Sequence, residues 1–161
     1  MAVESIRRER IVQCVRKPDN PPTLTDVQPR PHVSDFDLTH EEKPTLGDSL
    51  TPASVLVPIV ERPNEPTVLL TKRTDHLHDH AGQISFPGGR AEETDSGPIA
   101  TALRETEEEI DLKPAFINVI GFLDAYETAT GFLVTPVVGL ITPGFQLNPD
   151  RFEVARVFEV P

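Results

Sequence analysis

The stretch GGRAEETDSGPIATALRETEEEIDL, residues 88–112, contains the pattern on which the expected fold depends. It opens on a Gly-Gly turn, where a backbone can approach a ligand or offer a carbonyl to a metal. A helix is predicted from Ser96 or Gly97 to Ile110, with Asp95 or Ser96 as its N-cap. Toward its C-terminus this helix carries a run of carboxylates: Glu105, Glu107, Glu108, Glu109 and Asp111.

These carboxylates fall on two sides of the predicted helix, which turns by about 100° per residue. Taking Ile99 as the origin, the stripe expected to face a sheet consists of Ala102, Leu103, Thr106 and Ile110. Glu105, Glu108 and Glu109 share one arc, where like charges three or four residues apart are unfavourable by about 0.2–0.5 kcal/mol per pair. A hard divalent cation would reverse this penalty, so the arc is either a solvated acidic face or a metal site.

The composition is that of one domain with an acidic surface. The chain has 161 residues and a formal net charge of −11, which disfavours nucleic acid and anionic membranes as partners. A small phosphorylated ligand, which needs only a local patch of cations, stays compatible with this charge. The single cysteine, Cys14, excludes an internal disulfide and fits a reducing compartment. With neither an apolar run of about 20 residues nor a signal-like start, a cytoplasmic protein is expected.

Proline divides the chain into two parts. Ten of the 17 prolines lie in the first 66 residues. The prolines predict an extended or poorly ordered arm over residues 18–52, which follows a short amphipathic helix expected around residues 4–16. The expected division is therefore an N-terminal helix and proline-rich arm over 1–51 and a compact domain over 52–161.

Short, β-branched apolar runs predict strands on both sides of the acidic helix. They cover residues 53–60, 67–73, 82–86, 116–126, 132–141 and 152–160. The pattern predicts a mixed sheet with at least one packed helix, an α+β or α/β fold. Two of the runs, 53–60 and 132–141, are apolar almost throughout, which indicates that both faces of the sheet are covered. The second cover comes from the N-terminal helix, from a partner such as a second copy in a homodimer, or from a segment missing from a truncated chain.

The acidic stretch resembles the Nudix box, G-x5-E-x7-R-E-U-x-E-E-x-G-U, in which U is aliphatic. The matching residues are Arg104, Glu105, Glu108, Glu109 and Leu112. Thr106 stands at an aliphatic position and Asp111 at the position of the box glycine. The box is also one residue longer between Gly89 and Arg104, so Ser96 stands where the x7 spacing calls for Glu.

The preceding segment is similar to the signature of coenzyme A-directed Nudix hydrolases, LLTxR[SA]x3Rx3Gx3FPGG. In LLTKRTDHLHDHAGQISFPGG, residues 69–89, the matches are Leu69, Leu70, Thr71, Arg73, Gly82, Phe86, Pro87, Gly88 and Gly89. Thr74 replaces Ser or Ala, and His78 replaces the second arginine. The likeness covers roughly residues 50–161, and the family continues beyond this end into further strands and a C-terminal helix.

The resemblance implies the Nudix fold, an α/β/α sandwich around a mixed sheet, with the C-terminal helix layer missing from this chain. It also implies hydrolysis of the pyrophosphate bond of coenzyme A or its derivatives, giving 3′,5′-ADP and 4′-phosphopantetheine. The implied ligands of Mg²⁺ or Mn²⁺ are Glu105, Glu108, Glu109 and the carbonyl of Gly88. The implied catalytic group is Glu105, Glu108, Glu109 and Arg104, with Arg104 orienting Glu105 and either Glu108 or Glu109 assisting deprotonation.

The predicted substrate contacts come from the upstream signature: Lys72, Arg73, His78 and Phe86. Arg73 is favoured over Lys72 because neighbouring strand residues point to opposite faces and Arg73 matches the motif. Zinc is disfavoured at His76, His78 and His80, since no cysteine and no H-x3-H spacing accompanies them.

Glu153, on the last predicted strand, is either a further ligand or base or a solvated carboxylate. Three functions stay open for the whole domain. They are a coenzyme A or acyl-coenzyme A diphosphatase, a Nudix hydrolase of another nucleoside diphosphate derivative, and a catalytically silent binding module.

Overall fold

The computed structural model describes residues 2–19, 50–75 and 81–161, with side chains described from Arg8 onward. The predictions for the proline-rich arm fall largely, and those for His76, His78 and His80 wholly, outside the described residues. The elements, in chain order, are α1 (Ala2–Gln13), β1 (Thr51–Val60), β2 (Thr67–Arg73), β3 (Ile84–Ser85), β4 (Gly88–Arg90), α2 (Pro98–Ile110), a 3₁₀ turn (Pro114–Phe116), β5 (Ile117–Phe122), β6 (Tyr126–Glu127), β7 (Phe132–Ile141) and β8 (Val154–Val160).

The described strands form one eight-stranded mixed sheet. Its longest pairing is parallel and joins β1 to β7, from Thr51 opposite Phe132 to Val60 opposite Ile141. β5 and β6 pair antiparallel with β7, while β2 and β4 pair antiparallel with β1. β3 and β8 pair antiparallel with β2. The mixed sheet predicted from the sequence is therefore confirmed.

α2 packs on one face of this sheet and forms the hydrophobic core with it. The buried core side chains are Leu56, Val60, Leu69, Ala102, Ile110, Leu112, Phe122, Val137, Ile141 and Val154. Ala102, Thr106 and Ile110 are buried as the helical stripe predicted, whereas Leu103 is only partly buried. Glu109, expected on the acidic arc, is also buried on this face. The helix pattern alone could not predict that Glu109 is buried, because the charged groups near Glu109 come from distant parts of the chain.

The opposite face of the sheet is partly covered by α1. An open groove of about 440 Å³ separates the two, lined by Ile11, Cys14 and Val15 from the helix side and by Val57, Ile59 and Val138 from the sheet. Of the three sources considered for the second layer, the N-terminal helix therefore supplies at least part.

The end of α1 differs from its prediction. The helix ends at Gln13 rather than near residue 16. Arg16 instead pairs with the edge of β5, because its N–H donates to the Phe122 carbonyl at 2.8 Å and its carbonyl accepts from the Phe122 N–H at 2.9 Å. Gly121 permits this approach, since a Cβ there would collide with the Arg16 carbonyl.

The predicted third strand over 82–86 is also revised. Only Ile84–Ser85 pairs with β2, and the two glycines expected to end the strand begin another one, β4. β4 lies against the start of β1, with Gly89 opposite Ser54. A Cβ at Gly88 would collide with the Ser54 carbonyl, so glycine allows the close backbone approach that makes this pairing.

Candidate active site

The loop before α2 is held by a carboxylate that does not cap the helix. The N-cap residue is Gly97, without a side-chain cap, rather than Asp95 or Ser96 as predicted. The carboxylate of Asp95 accepts hydrogen bonds from the Glu92 N–H and the Thr101 hydroxyl, each at 2.9 Å. It also accepts two from Arg104, so its partners do not include a backbone N–H of the first turn of α2.

Arg104 uses its whole guanidinium group in the described structure. Nε donates to Asp95 Oδ1 and Nη2 to Asp95 Oδ2 and to the Arg90 carbonyl, each at 3.0 Å. Nη1 donates to Glu105 Oε1 and Glu108 Oε2, also at 3.0 Å. These contacts hold the pKa of Asp95 well below its usual range and raise that of Arg104. The contact between Arg104 and Glu105 is the one that the resemblance implies.

Glu109 is the most deeply buried carboxylate of the helix, with 8% of its side chain exposed. Its Oε2 accepts a hydrogen bond from the Gly88 N–H at 3.2 Å, and Arg73 Nη1 lies 3.7 Å from its Oε1. Burial raises the pKa of Glu109 to about 7, and the negative charges of Glu153 and Glu105 add to the rise. The hydrogen bond from Gly88 and the charge of Arg73 oppose it without cancelling it.

Glu105 lies under the two glycines of β4. A Cβ on Gly89 would lie 2.5 Å from Glu105 Oε2, so the strand and the carboxylate are in direct contact. Burial is the main cause that raises the pKa of Glu105, and the charges of Glu108 and Glu153 contribute. Glu153 lies in the turn before β8 rather than on the strand itself, where it was predicted. Because it acts on both Glu105 and Glu109, the structure brings carboxylates from α2 and from this turn into electrostatic reach of one another.

Glu108 is separated from this group. Its side chain is 60% exposed and its Oε2 is held by Arg104. The helical arc that combined Glu105, Glu108 and Glu109 is therefore divided in the structure: two of its members turn inward toward Gly88 and Gly89, and Glu108 remains at the surface.

The carboxylates have the chemistry of a hard-cation site. Among the described residues, no group of three or more acidic, histidine or cysteine side chains already has the geometry to hold a metal. Glu105 and Glu109 nonetheless supply oxygen donors, which Mg²⁺ and Mn²⁺ prefer. Glu109 is buried, and the neighbours found for its oxygens in the described structure are one N–H donor, from Gly88 at 3.2 Å, and the Arg73 guanidinium at 3.7 Å, so its charge is incompletely compensated. A divalent cation would supply that compensation, so the residues fit the metal.

The predicted substrate residues occupy different surroundings. Arg73 reaches Glu109, and its buried Nε has no hydrogen-bond partner within the described part of the chain. Lys72 instead runs beside Gly82. Phe86 is half-buried immediately before Pro87, and His78 lies outside the described residues. The structure thus brings Arg73 to the carboxylates and leaves Lys72 elsewhere.

Asp95 is the residue whose contact with Arg104 was not predicted from the sequence. It was expected as a helix cap, and the box spacing directed attention to Ser96. The signal was present, because the box is one residue longer than usual and Asp95 is the carboxylate next to the vacant position. The structure shows that this shifted carboxylate contacts the box arginine directly.

Comparison with known families agrees with the fold. A model of the NUDIX domain matches residues 50–160, and the chain belongs to the Nudix family. It is 45% identical to the Nudix hydrolase NudL of Yersinia enterocolitica over 129 residues, which cover 80% of this chain and 66% of that protein. It is also 45% identical to NudL of Escherichia coli over 132 residues, 82% of this chain and 63% of that protein.

A solved structure gives the same fold at low sequence identity. The Ap4A hydrolase of Caenorhabditis elegans, in a binary complex, superimposes with a TM-score of 0.55 at 15% identity. The superposition covers 66% of this chain and 77% of that one. The expected Nudix fold is therefore confirmed. The chain spans just under two thirds of the length of the NudL proteins that it matches. In the described ranges, no helix is both long and apolar enough to cross a bilayer.

Proposed function

We propose that this chain carries the Nudix domain of a metal-dependent diphosphatase that cleaves the pyrophosphate bond of coenzyme A or its derivatives. The products are 3′,5′-ADP and 4′-phosphopantetheine or its acylated form. The observation that supports this most directly is that two carboxylates of α2 meet the glycines of β4: Glu105 contacts Gly89, and Glu109 accepts a hydrogen bond from the Gly88 N–H. Mutually repelling, partly buried carboxylates are unfavourable unless a cation compensates them.

The proposed ligands of Mg²⁺ or Mn²⁺ are Glu105, Glu109 and the carbonyl of Gly88, with Glu108 and Glu153 as further ligands. When bound, the metal would neutralise phosphoryl oxygens and lower the pKa of an attacking water. Arg104 keeps one oxygen of Glu105 occupied, which leaves Oε2 of that carboxylate beside Gly89. Arg104 thereby orients a ligand rather than contacting the substrate.

Glu109 is the better of the two glutamates considered for deprotonation. The carboxylate of Glu109 lies inside the site, where its Oε2 accepts a hydrogen bond from the Gly88 N–H at 3.2 Å. Glu108 is largely exposed and its oxygen is held by Arg104. We therefore assign the proton-accepting role to Glu109 and a supporting role to Glu108.

Coenzyme A is proposed as the substrate because of the upstream signature that ends at Gly89. Arg73 is the proposed phosphate contact, since its guanidinium lies at the margin of the carboxylates and its Nε lacks a hydrogen-bond partner in the described structure. Lys72, His78 and Phe86 are retained as further substrate contacts from the same signature. His78 stands in place of an arginine, and it would bind phosphate as a neutral donor or when protonated.

The proposal extends to the setting of the protein. A cytoplasmic enzyme with a small-molecule substrate, and with neither nucleic acid nor membrane as a partner, fits the formal charge of −11 and the single cysteine. A homodimer would supply additional cover for the sheet face that carries α1.

Incubation with candidate substrates tests the proposal. The protein is incubated with coenzyme A, ADP-ribose and NADH, with Mg²⁺, with Mn²⁺ and with EDTA, and products are identified by mass. We expect metal-dependent release of 3′,5′-ADP from coenzyme A. Cleavage of ADP-ribose or NADH alone would instead support a Nudix hydrolase of another nucleoside diphosphate derivative. Binding of coenzyme A without any cleavage would support a silent binding module.

A further inference from the structure

The face of the sheet that carries α1 is apolar where β1 and β7 pair. Val57 and Val138 are partners in the register of these two strands, and both are buried. They alternate with Leu56 and Val137, which lie in the core under α2, so they point to the opposite face of the sheet. α1 covers this face only in part, and Val57 and Val138 line the groove of about 440 Å³ between the helix and the sheet.

The groove also has a cation in its lining. Arg10, in the last turn of α1, is exposed and is the only charged side chain among the described residues that line the groove. Two other arginines of the same segment are already paired, since Arg8 lies 3.7 Å from Glu61 and Arg16 lies 2.9 Å from Asp124. Arg10 makes no ion pair within the described ranges. The groove therefore combines an apolar floor with one guanidinium that has no carboxylate partner there.

We propose that this groove binds a medium-chain fatty acid, with its alkyl chain over Val57 and Val138 and its carboxylate against Arg10. A guanidinium and a carboxylate form a planar pair with two parallel hydrogen bonds, so the charge of Arg10 selects an anionic head group. The volume lies within the range of small-ligand sites, about 300–1,000 Å³. At about 30 Å³ for a water-sized group such as a methylene, a chain of about 8–12 carbons fits within it.

The single cysteine provides a direct probe of the groove. Cys14 lines the groove and is exposed, and the chain contains no other cysteine. The rate at which its thiol reacts with a neutral disulfide such as dithiodipyridine therefore reports whether the groove is occupied. A neutral reagent does not compete for Arg10. The groove and the carboxylates of α2 lie on opposite faces of the sheet, so this measurement does not depend on the proposed hydrolysis.

The test titrates the whole chain with octanoate, decanoate, dodecanoate and decanol, each below its micelle concentration, and takes Kd from the protection of Cys14. A fully buried methylene tightens binding about fourfold, and the groove is open on one side, so we expect about two- to fourfold for each added methylene. Decanol has the chain of decanoate without the charge. It should bind at least about tenfold more weakly than decanoate, because it loses the charge-assisted hydrogen bonds to Arg10.

Three variants separate the two parts of the groove. Arg10→Gln should raise the Kd of decanoate about tenfold and leave that of decanol within about twofold. Lys17→Gln removes the same charge from an exposed position that does not line the groove, and both Kd values should stay unchanged. Ile59→Trp enlarges a half-buried lining residue and should weaken both ligands together, because the indole occupies the space of the chain. Thermal unfolding establishes that each variant is folded.

Saturable protection of Cys14 by decanoate that is weakened by Arg10→Gln and not by Lys17→Gln would support the proposal. Absence of protection in the wild type, protection only above the micelle concentration, or equal Kd values for decanoate and decanol would overturn it. Without ligand, a reactivity of Cys14 that falls as the protein forms dimers in sedimentation would assign the groove to a second copy of the chain and would also overturn it. Coenzyme A hydrolysis is assayed separately, so a failure of the proposed function is distinguishable from each of these results.

Discussion

Glu109→Gln is predicted to remove a pH-dependent loss of stability from the metal-free protein. The pKa of Glu109 is raised from its ordinary value of 4.5 to about 7, mainly because burial disfavours the charged form. A carboxyl whose folded-state pKa is raised stabilises the fold below its unfolded pKa, and this contribution is lost as the pH rises through the folded pKa. A shift of one pKa unit corresponds to about 1.4 kcal/mol, so the shift from 4.5 to about 7 corresponds to a full loss of about 3 kcal/mol in the free energy of unfolding.

Urea unfolding in EDTA at pH 5 and pH 8 measures this loss. Between these two pH values Glu109 accounts for about 2.5 kcal/mol, because part of the loss has already occurred at pH 5. The wild type should therefore lose about 2.5 kcal/mol more than Glu109→Gln over this interval. Glu107→Gln, on the half-exposed side of the same helix, is the matched control and should follow the wild type.

The charge of Glu109 also predicts how metal binding changes the stability of the protein. Mn²⁺ at pH 8 should restore the stability of the wild type and do little for Glu109→Gln, because the cation compensates the charge that burial disfavours. Equal losses of stability between pH 5 and pH 8 in the wild type and in Glu109→Gln would refute the argument, since Glu109 would then ionise normally in the folded state.

The remaining predictions concern three positions around the box. Gly89→Ala should weaken Mn²⁺ binding at least about tenfold in a folded protein, because the added Cβ displaces the Glu105 carboxylate; unchanged calorimetric affinity would contradict this. Thr106→Val should raise the free energy of unfolding by about 1 kcal/mol, because the buried hydroxyl has no hydrogen-bond partner in the described structure; destabilisation in urea would be the opposing result. Asp111→Gly should raise the free energy of unfolding by about 0.5–1 kcal/mol, because Asp111 ends α2 with a positive φ of 60°, which glycine adopts without strain. A lower urea midpoint at unchanged slope would contradict this and would show that the contact between Asp111 and Lys113 outweighs the strain.

Strands with strong local patterns were predictable from the sequence. The runs 67–73 and 132–141 coincide with β2 and β7, because each is a β-branched apolar run bounded by turn residues. β4 was not predictable in this way. Gly88 and Gly89 read as a turn, and only pairing with β1, more than 30 residues away, makes them a strand. Such pairing depends on backbone approach rather than on local side-chain preference.

The sequence predicted which residues belong to the candidate site better than it predicted how these residues are arranged. The box pattern selected Glu105, Glu108 and Glu109, and a helical projection placed all three on one side. The structure separates Glu108 from the other two, because Arg104 holds it at the surface while Gly88 and Arg73 meet Glu109 inside. Those partners are distant in sequence, and a projection of one helix contains no information about them.

The most direct test of the proposed function is Mn²⁺-dependent release of 3′,5′-ADP from coenzyme A by the wild type, Glu105→Gln, Glu109→Gln and Glu107→Gln. We predict that Glu107→Gln retains wild-type activity, since Glu107 is paired with Lys113 outside the site. Glu105→Gln and Glu109→Gln should lose activity on the order of 100-fold or more, the typical effect of removing a group that handles the proton or its metal. Full metal-dependent activity in either of these two variants would contradict the assignment of the active site.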